Sequence, residues 1–234
     1  MRFSFVTLFQ NIIEGYFSDS ILARAIEAQK ISIDFYNPRD YTKDKHKRVD
    51  APMVSGGAGM LMTPQPLFDT FEDILKHSPN AHIVFMTPVG KPFHQNDAKR
   101  LAKKEHLVLV SGRYEGIDER VIEKYADELF SIGDYILTGG EVASMVVCDA
   151  VSRNVEGVLG NSDSLDVESY EGSLLEAPSF TKPLNYNNYF SILEYSKGNH
   201  SKIADLKNRL SVAKTQYFRP DMYKTVKQKV KNEK

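Results

Sequence analysis

Four glycine-centred segments carry the chemistry of this chain: Ser55-Gly-Gly-Ala-Gly-Met60, Thr87-Pro-Val-Gly90, Ser111-Gly-Arg-Tyr-Glu-Gly-Ile-Asp118 and Ser131-Ile-Gly-Asp-Tyr-Ile-Leu-Thr-Gly-Gly-Glu141. Glycine lets backbone approach a ligand closely and adopt positive φ, so several such loops can clamp a small molecule through amides and carbonyls. Tight turns and helix caps account for any single loop, but four together exceed what turns require. The segments match neither a G-x-x-x-x-G-K-[ST] phosphate loop nor a G-x-G-x-x-G after the first strand, which argues against a P-loop ATPase or an ordinary Rossmann dehydrogenase. One cysteine, Cys148, cannot form an internal disulfide, and six histidines without clustered cysteines argue against structural zinc, so no metal ligands are assigned. Cys148, beside Val146 and Val147, reads as core, and His200 as no more than a helix cap.

The elements that position these loops alternate. Arg2–Thr7, Ile31–Tyr36, Ala81–Thr87 and His106–Ser111 are β-rich runs, separated by amphipathic stretches at Asn11–Gln29, Pro66–His77 and Gln95–Lys104. This pattern predicts βαβ units and a mainly parallel sheet with helices on both faces, with the glycine loops at strand C-termini where open sheets bind ligands. Next come a helix at Asp118–Ala126, extended pieces at Leu129–Ile132 and Tyr135–Leu137, and a helix at Gly140–Asn154. Gly157–Leu175 is rich in Asn, Ser, Asp, Glu and Gly and reads as a linker or functional loop. Helices are expected at Asn185–Tyr195, Ser201–Lys214 and Asp221–Lys231. The domain expectation is thus an α/β domain over 1–160, a linker or active-site loop over 161–175 and a basic helical domain over 176–234.

Length and composition set the outer bounds. With 234 residues, 41% hydrophobic and 26% charged, the chain is neither disordered nor collagen-like. No apolar run approaches the roughly 18 residues that span a bilayer, and Arg2–Thr7 reads as a strand rather than a signal peptide, so no membrane partner and a cytoplasmic location are expected. The net charge of −1 conceals a division: residues 201–234 hold ten Lys and Arg against three Asp and Glu. That leaves about +7 in the tail and −8 elsewhere. A second basic run, Arg39, Lys43, Lys45, Lys47 and Arg48, surrounds His46. Two basic segments on an otherwise acidic chain suggest an anionic polymer as partner.

Gly112–Arg120 and Ser131–Glu141 resemble the signature loops of the bacterial tRNA (guanine-N1)-methyltransferases of the SPOUT superfamily. The resemblance continues through Pro38-Arg-Asp40, Gly59-Met-Leu-Met62, Val151-Ser-Arg153, Gly157-Val-Leu-Gly160, Gly198-Asn-His200 and Arg219-Pro-Asp221, covering nearly the whole chain in order. It implies an α/β fold with a trefoil knot at the C-terminal end of its sheet domain, followed by a small all-α domain. It further implies S-adenosylmethionine as methyl donor, a homodimer with active sites between subunits, the anticodon arm of tRNA as partner, and a Mg2+ requirement. On this mapping Phe85, Thr87 and Pro88 form one wall of the cofactor site and Gly112, Glu115 and Gly116 a second. Ile132, Gly133, Asp134, Tyr135, Ile136 and Leu137, with Gly139 and Gly140, wrap the adenine and ribose.

The implied target is N1 of the guanosine immediately 3′ of the anticodon. That nitrogen carries a proton at neutral pH, so the site must remove it and stabilise negative charge developing toward O6, which requires a carboxylate base and a cation. The family's cation maps to Arg153, whose position also suits a helix C-terminus. Its base maps to Glu168, in Glu168-Ser-Tyr170 where the family usually has Asp-Ser-Phe. Asp166 and, more weakly, Asp163 are rival bases. RNA contacts map to Lys207, Lys214 and Arg219, with Asp50 and Gly59 near the guanine; an N-cap or turn suits Asp50 equally, and a helix start suits Glu115. Ser55–Gly59 stands for the family's G-G-G-P-G, Ala143 for a Pro, Leu206-Lys207 for Trp-Arg, and Phe218 for an Arg. Two alternatives stay open: a SPOUT enzyme acting on ribose 2′-oxygen or ribosomal RNA, and a non-catalytic RNA-binding relative.

Overall fold

The computed structural model describes residues 1–160 and 168–225. The chain divides into two compact units, Met1–Gly160 and Asn161–Lys234. Asp163 and Asp166, and the tail beyond Thr225, lie outside the described residues.

The first unit is an α/β layered structure. Its sheet has five strands, β1 (Arg2–Val6), β2 (Ser32–Tyr36), β5 (His82–Pro92), β6 (His106–Ser111) and β7 (Glu128–Ser131), in the order β2-β1-β6-β5-β7. Every pairing among them is parallel. The central strand β6 is buried along its whole length, as a strand covered on both faces must be. Its side chains alternate: Leu107 and Leu109 join one cluster with Phe3, Phe5 and Val147, while Val108 and Val110 join another with Phe71 and Phe85. The first cluster lies under α1 (Gln10–Glu14), α2 (Ser20–Glu27), α4 (Gln95–Leu101) and α6 (Glu141–Ser152). The second lies under α3 (Pro64–His77) and α5 (Glu119–Tyr125). Cys148 is fully buried in the first, and burial pushes its thiol pKa up.

Several local expectations give way. Asn11–Gln29 is not one helix: a 3-10 turn at Gly15–Phe17 interrupts it, and Asp19 restarts it by accepting from the Ser20 N–H at 2.5 Å. A hairpin of β3 (Asp50–Pro52) and β4 (Met60–Met62), too short to show a period, carries the first glycine loop at its tip. Thr87–Gly90 is a bulge within β5 rather than a βα turn. Gly90 is required there because a Cβ would stand 2.5 Å from the Phe130 nitrogen. Tyr135–Leu137 is not a strand but part of the turn leaving β7.

In the second unit the expected helix over Asn185–Tyr195 is a β-hairpin, β8 (Asn185–Tyr186) against β9 (Tyr189–Phe190), then a 3-10 turn at Leu193–Ser196. Asn187 and Asn188 both take positive φ, the conformation a two-residue hairpin loop demands. The unit is therefore not all-α. Helix α7 (His200–Phe218) runs four residues beyond the expected Lys214. Its cap is Asn199, whose side chain accepts from the Lys202 N–H at 3.1 Å, rather than His200. Residues 220–225 are helical.

Candidate active site

A cleft of about 270 Å3 opens at the C-terminal edge of β5, β6 and β7. Phe85, Met86, Thr87 and Pro88 form one wall, residues 112–117 a second, and 130–133 and 135–137 with Gly139, Gly140 and Ala143 the third. Asp134 alone among the expected cofactor contacts is absent from the lining; it is exposed at the tip of the turn.

The last two walls touch through backbone. The Gly140 N–H donates to the Gly112 carbonyl at 2.9 Å, and a Cβ on Gly140 would stand 2.8 Å from Ser111 Cα. Only glycine permits that approach. Because β5 lies between β6 and β7, the chain leaving β7 returns past β5 to reach this contact.

The 112–118 loop is also held from the other side. Glu115 N–H donates to the Met60 carbonyl, Met62 N–H to Gly116, and Asp118 N–H to Met62, at 3.0, 3.0 and 3.1 Å. Gly59, at φ +98°, sits so near Glu115 that a Cβ would be 2.6 Å from its Cγ. The structure thus brings Gly59 and Glu115 together. Asp50 pairs with Met62 in the same hairpin and is neither an N-cap nor a turn residue. Glu115 does not start a helix either: α5 begins at Glu119, and Asp118 caps it by accepting from the Arg120 N–H at 3.1 Å.

A buried charge pair underlies the cleft. Arg113 contacts Glu141 through Nε at 3.0 Å and through its terminal nitrogen at 2.9 Å, and also donates to the Thr138 carbonyl at 3.2 Å. The Thr7 hydroxyl donates to Glu141 at 2.9 Å, and the Arg113 guanidinium lies 4.5 Å from the Phe9 ring centroid. Glu141 opens α6, where a carboxylate favours the helix dipole. Sequence reasoning misses Arg113, Tyr114, Ile117 and Ser131 as site residues, although all four lie inside the glycine-centred segments; position between the glycines or within two residues of one is their one signal.

Arg153 is elsewhere. It closes the C-terminus of α6, its N–H donating to the Asp149 carbonyl at 3.1 Å, whereas Gly140 and Ala143 at the other end line the cleft. At 1.5 Å per residue, the helix separates Arg153 from Ala143 by roughly 15 Å.

The basic run before β3 is partly neutralised in place. Arg48 pairs with Asp44 at 2.9 Å, Lys43 with Asp69 at 3.3 Å and Lys47 with Asp40 at 3.9 Å. In the second unit Glu168 is half-buried on a turn, Lys207 and Lys214 lie on α7, and Arg219 pairs with Asp221 at 2.7 Å. The Arg219 guanidinium holds the Asp221 carboxyl down at about 2.

A family model described as tRNA (Guanine-1)-methyltransferase TrmD matches residues 1–225. A curated relative named tRNA (guanine-N(1)-)-methyltransferase from Sulfurovum sp. (strain NBC37-1) is 76% identical over 224 residues, covering 96% of this chain and 99% of the relative. Relatives of the same name from Sulfurimonas denitrificans (strain ATCC 33889 / DSM 1251) and Campylobacter curvus (strain 525.92) are 64% identical over 221 residues and 57% over 231. They cover 94% and 99% of this chain, and 96% and 98% of their own lengths.

Proposed function

Because the chain belongs to the tRNA (Guanine-1)-methyltransferase family, we propose that its three-walled cleft holds S-adenosylmethionine and that its target is N1 of the guanosine immediately 3′ of the anticodon. The enzyme is a tRNA (guanine-N1)-methyltransferase with S-adenosylmethionine as methyl donor and tRNA as substrate. The observation that carries the site assignment is the convergence of the 85–88, 112–117 and 130–140 segments on one cleft.

The residues fit the donor. Apolar side chains of Phe85, Ile117, Ile136 and Leu137 suit an adenine ring, and glycine backbone at 112, 116, 133, 139 and 140 offers amides and carbonyls to ribose and the charged end. When bound, the donor supplies an electrophilic methyl on sulfonium. The protein's tasks are alignment and proton removal. Glu168 takes the N1 proton, and Arg153 stabilises the charge that develops on O6. The target lies on a Watson–Crick edge, so the guanine leaves its stack to enter, while Asp50 and Gly59 border it and Lys207, Lys214 and Arg219 grip the anticodon arm.

The homodimer belongs to this proposal. Phe9, Ile12 and Tyr16 beside α1, with Val142 and Val146 on α6, form an exposed apolar face, supported by the Tyr16 hydroxyl donating to Asp149. Arg153 stands at the end of α6 remote from its own cleft, which supports service to the partner's. The trefoil knot is supported by the return of the 131–140 segment across β5 to Gly112. A cytoplasmic location is supported by tRNA as substrate; among the described residues no helix is long and apolar enough to cross a membrane. A Mg2+ requirement belongs to this proposal through the family resemblance alone; among the described residues no group of three or more His, Cys, Asp or Glu side chains could hold a metal ion.

The test is Glu168→Ala, which is expected to abolish methylation while S-adenosylmethionine binding by calorimetry persists. If Asp166→Ala abolishes turnover and Glu168→Ala does not, the base is Asp166.

A further inference from the structure

Thr215 is the one fully buried residue of α7 among those described, on a helix whose other faces are largely exposed. Its hydroxyl has one proton and spends it on the Ser211 carbonyl at 2.7 Å, a common bond one helical turn back. The oxygen also accepts the Leu175 N–H at 2.9 Å. Leu175 follows a tight turn that begins at Glu168. Glu171 N–H donates to the Glu168 carbonyl at 3.3 Å, Tyr170 N–H to Leu174 at 3.3 Å, and Glu176 N–H to the Ser169 hydroxyl at 3.1 Å. Tyr170 holds φ at +76°, a conformation a bulky side chain adopts only when its surroundings impose it. One turn beyond Thr215, Arg219 interacts with the Tyr170 side chain as well as with Asp221.

We infer that Thr215 is a positioning residue for methyl transfer: its hydroxyl fixes the Glu168 turn to the helix that carries Lys207 and Lys214, so the base is held in register with the RNA grip. The inference rests on Glu168 being the base. A threonine is suited to the task because one oxygen serves as donor to its own helix and acceptor from the turn, and its methyl fills the buried site. Valine keeps the shape and removes both bonds.

Single-turnover methylation of tRNA by the full chain tests it, with Thr215→Val, Thr215→Ser, Glu168→Gln and the Val/Gln double variant. Thr215→Val is expected to lower the rate at saturating tRNA between about ten- and a hundredfold, with S-adenosylmethionine affinity within about twofold of wild type. Thr215→Ser, which retains the hydroxyl, restores the rate. In the Glu168→Gln background Thr215→Val has no further effect, since there is no base left to position. Equal rate losses in both backgrounds, or a Ser variant as slow as the Val variant, overturn the positioning role while leaving Glu168 in place. Wild-type turnover by Glu168→Gln overturns the base assignment and this inference with it.

Discussion

Arg113 closes a 2.9 Å ion pair on Glu141, a carboxylate with 2% of its side chain exposed. The pair joins the loop after β6 to the start of α6, and Thr7 ties both to β1. Removing one partner of a buried pair strands the other charge in low dielectric, which costs about 3–5 kcal/mol. Arg113→Ala, which leaves the buried Glu141 carboxylate without its cation, is therefore expected to lower unfolding free energy in urea by that amount and to weaken S-adenosylmethionine binding. A loss below about 1 kcal/mol contradicts the pair's structural role.

The backbone contact at Gly140 leaves no space for a side chain. In Gly140→Ala the new Cβ meets Ser111 Cα at 2.8 Å and Gly112 N at 2.9 Å, both backbone atoms that cannot swing away. Overpacking of this kind costs about 1–3 kcal/mol. Placed between two cleft walls, it is expected to weaken S-adenosylmethionine binding about tenfold or more while leaving tRNA affinity near wild type. Calorimetry and filter binding check the two halves separately.

Stability should fall as pH drops below 6.5. His106 is buried at the start of β6, with its Nε2 2.8 Å from the Ser4 hydroxyl, and burial followed by Arg2 pushes its pKa down to about 4 against a partial opposing effect of Asp34. A group with a depressed cationic pKa binds fewer protons folded than unfolded. Its neutral form is favoured above the unfolded pKa near 6.5, and the stability is lost as pH falls from there toward 4. Urea titrations at pH 7 and pH 5 should differ by about 1–2 kcal/mol through this group. The difference should shrink in His106→Gln. An undiminished difference in that variant assigns the pH dependence to other groups.

Glycine placement, the alternation of strands and helices in the first unit, and the cleft walls are legible in the sequence. The first two rest on local chemistry, the buried apolar run of β6 and glycines where backbones meet, whereas the residues of the cleft walls are assigned through the family resemblance. What escapes a sequence reading is set by tertiary contact or very short range. The β3–β4 hairpin has three residues a strand and draws its stability from the Gly116 and Asp118 backbone bonds. Asn187-Asn188 is a hairpin signal inside a run whose aromatic spacing resembles that of a helix. The Arg113–Glu141 pair spans 28 positions, and no spacing rule connects them.

Charge placement is likewise decided by tertiary contact. Asp40, Asp44 and Asp69 engage cations of the 39–48 run, so the electrostatic grip on RNA should come chiefly from the second unit. Lys207→Ala and Lys214→Ala are each expected to reduce the slope of log affinity against log salt by about one, and Lys43→Ala by less. Filter binding between about 50 and 200 mM salt measures the slopes. A flat salt response in the parent contradicts the electrostatic grip altogether.

Target and reaction are read together by methyl transfer from labelled S-adenosylmethionine to two tRNAs that differ only in the base 3′ of the anticodon, with the product nucleosides identified by mass. A tRNA (guanine-N1)-methyltransferase with this target forms 1-methylguanosine in the tRNA with guanosine there and leaves the other unlabelled. Equal label in both tRNAs, label on ribose, or none in either contradicts it.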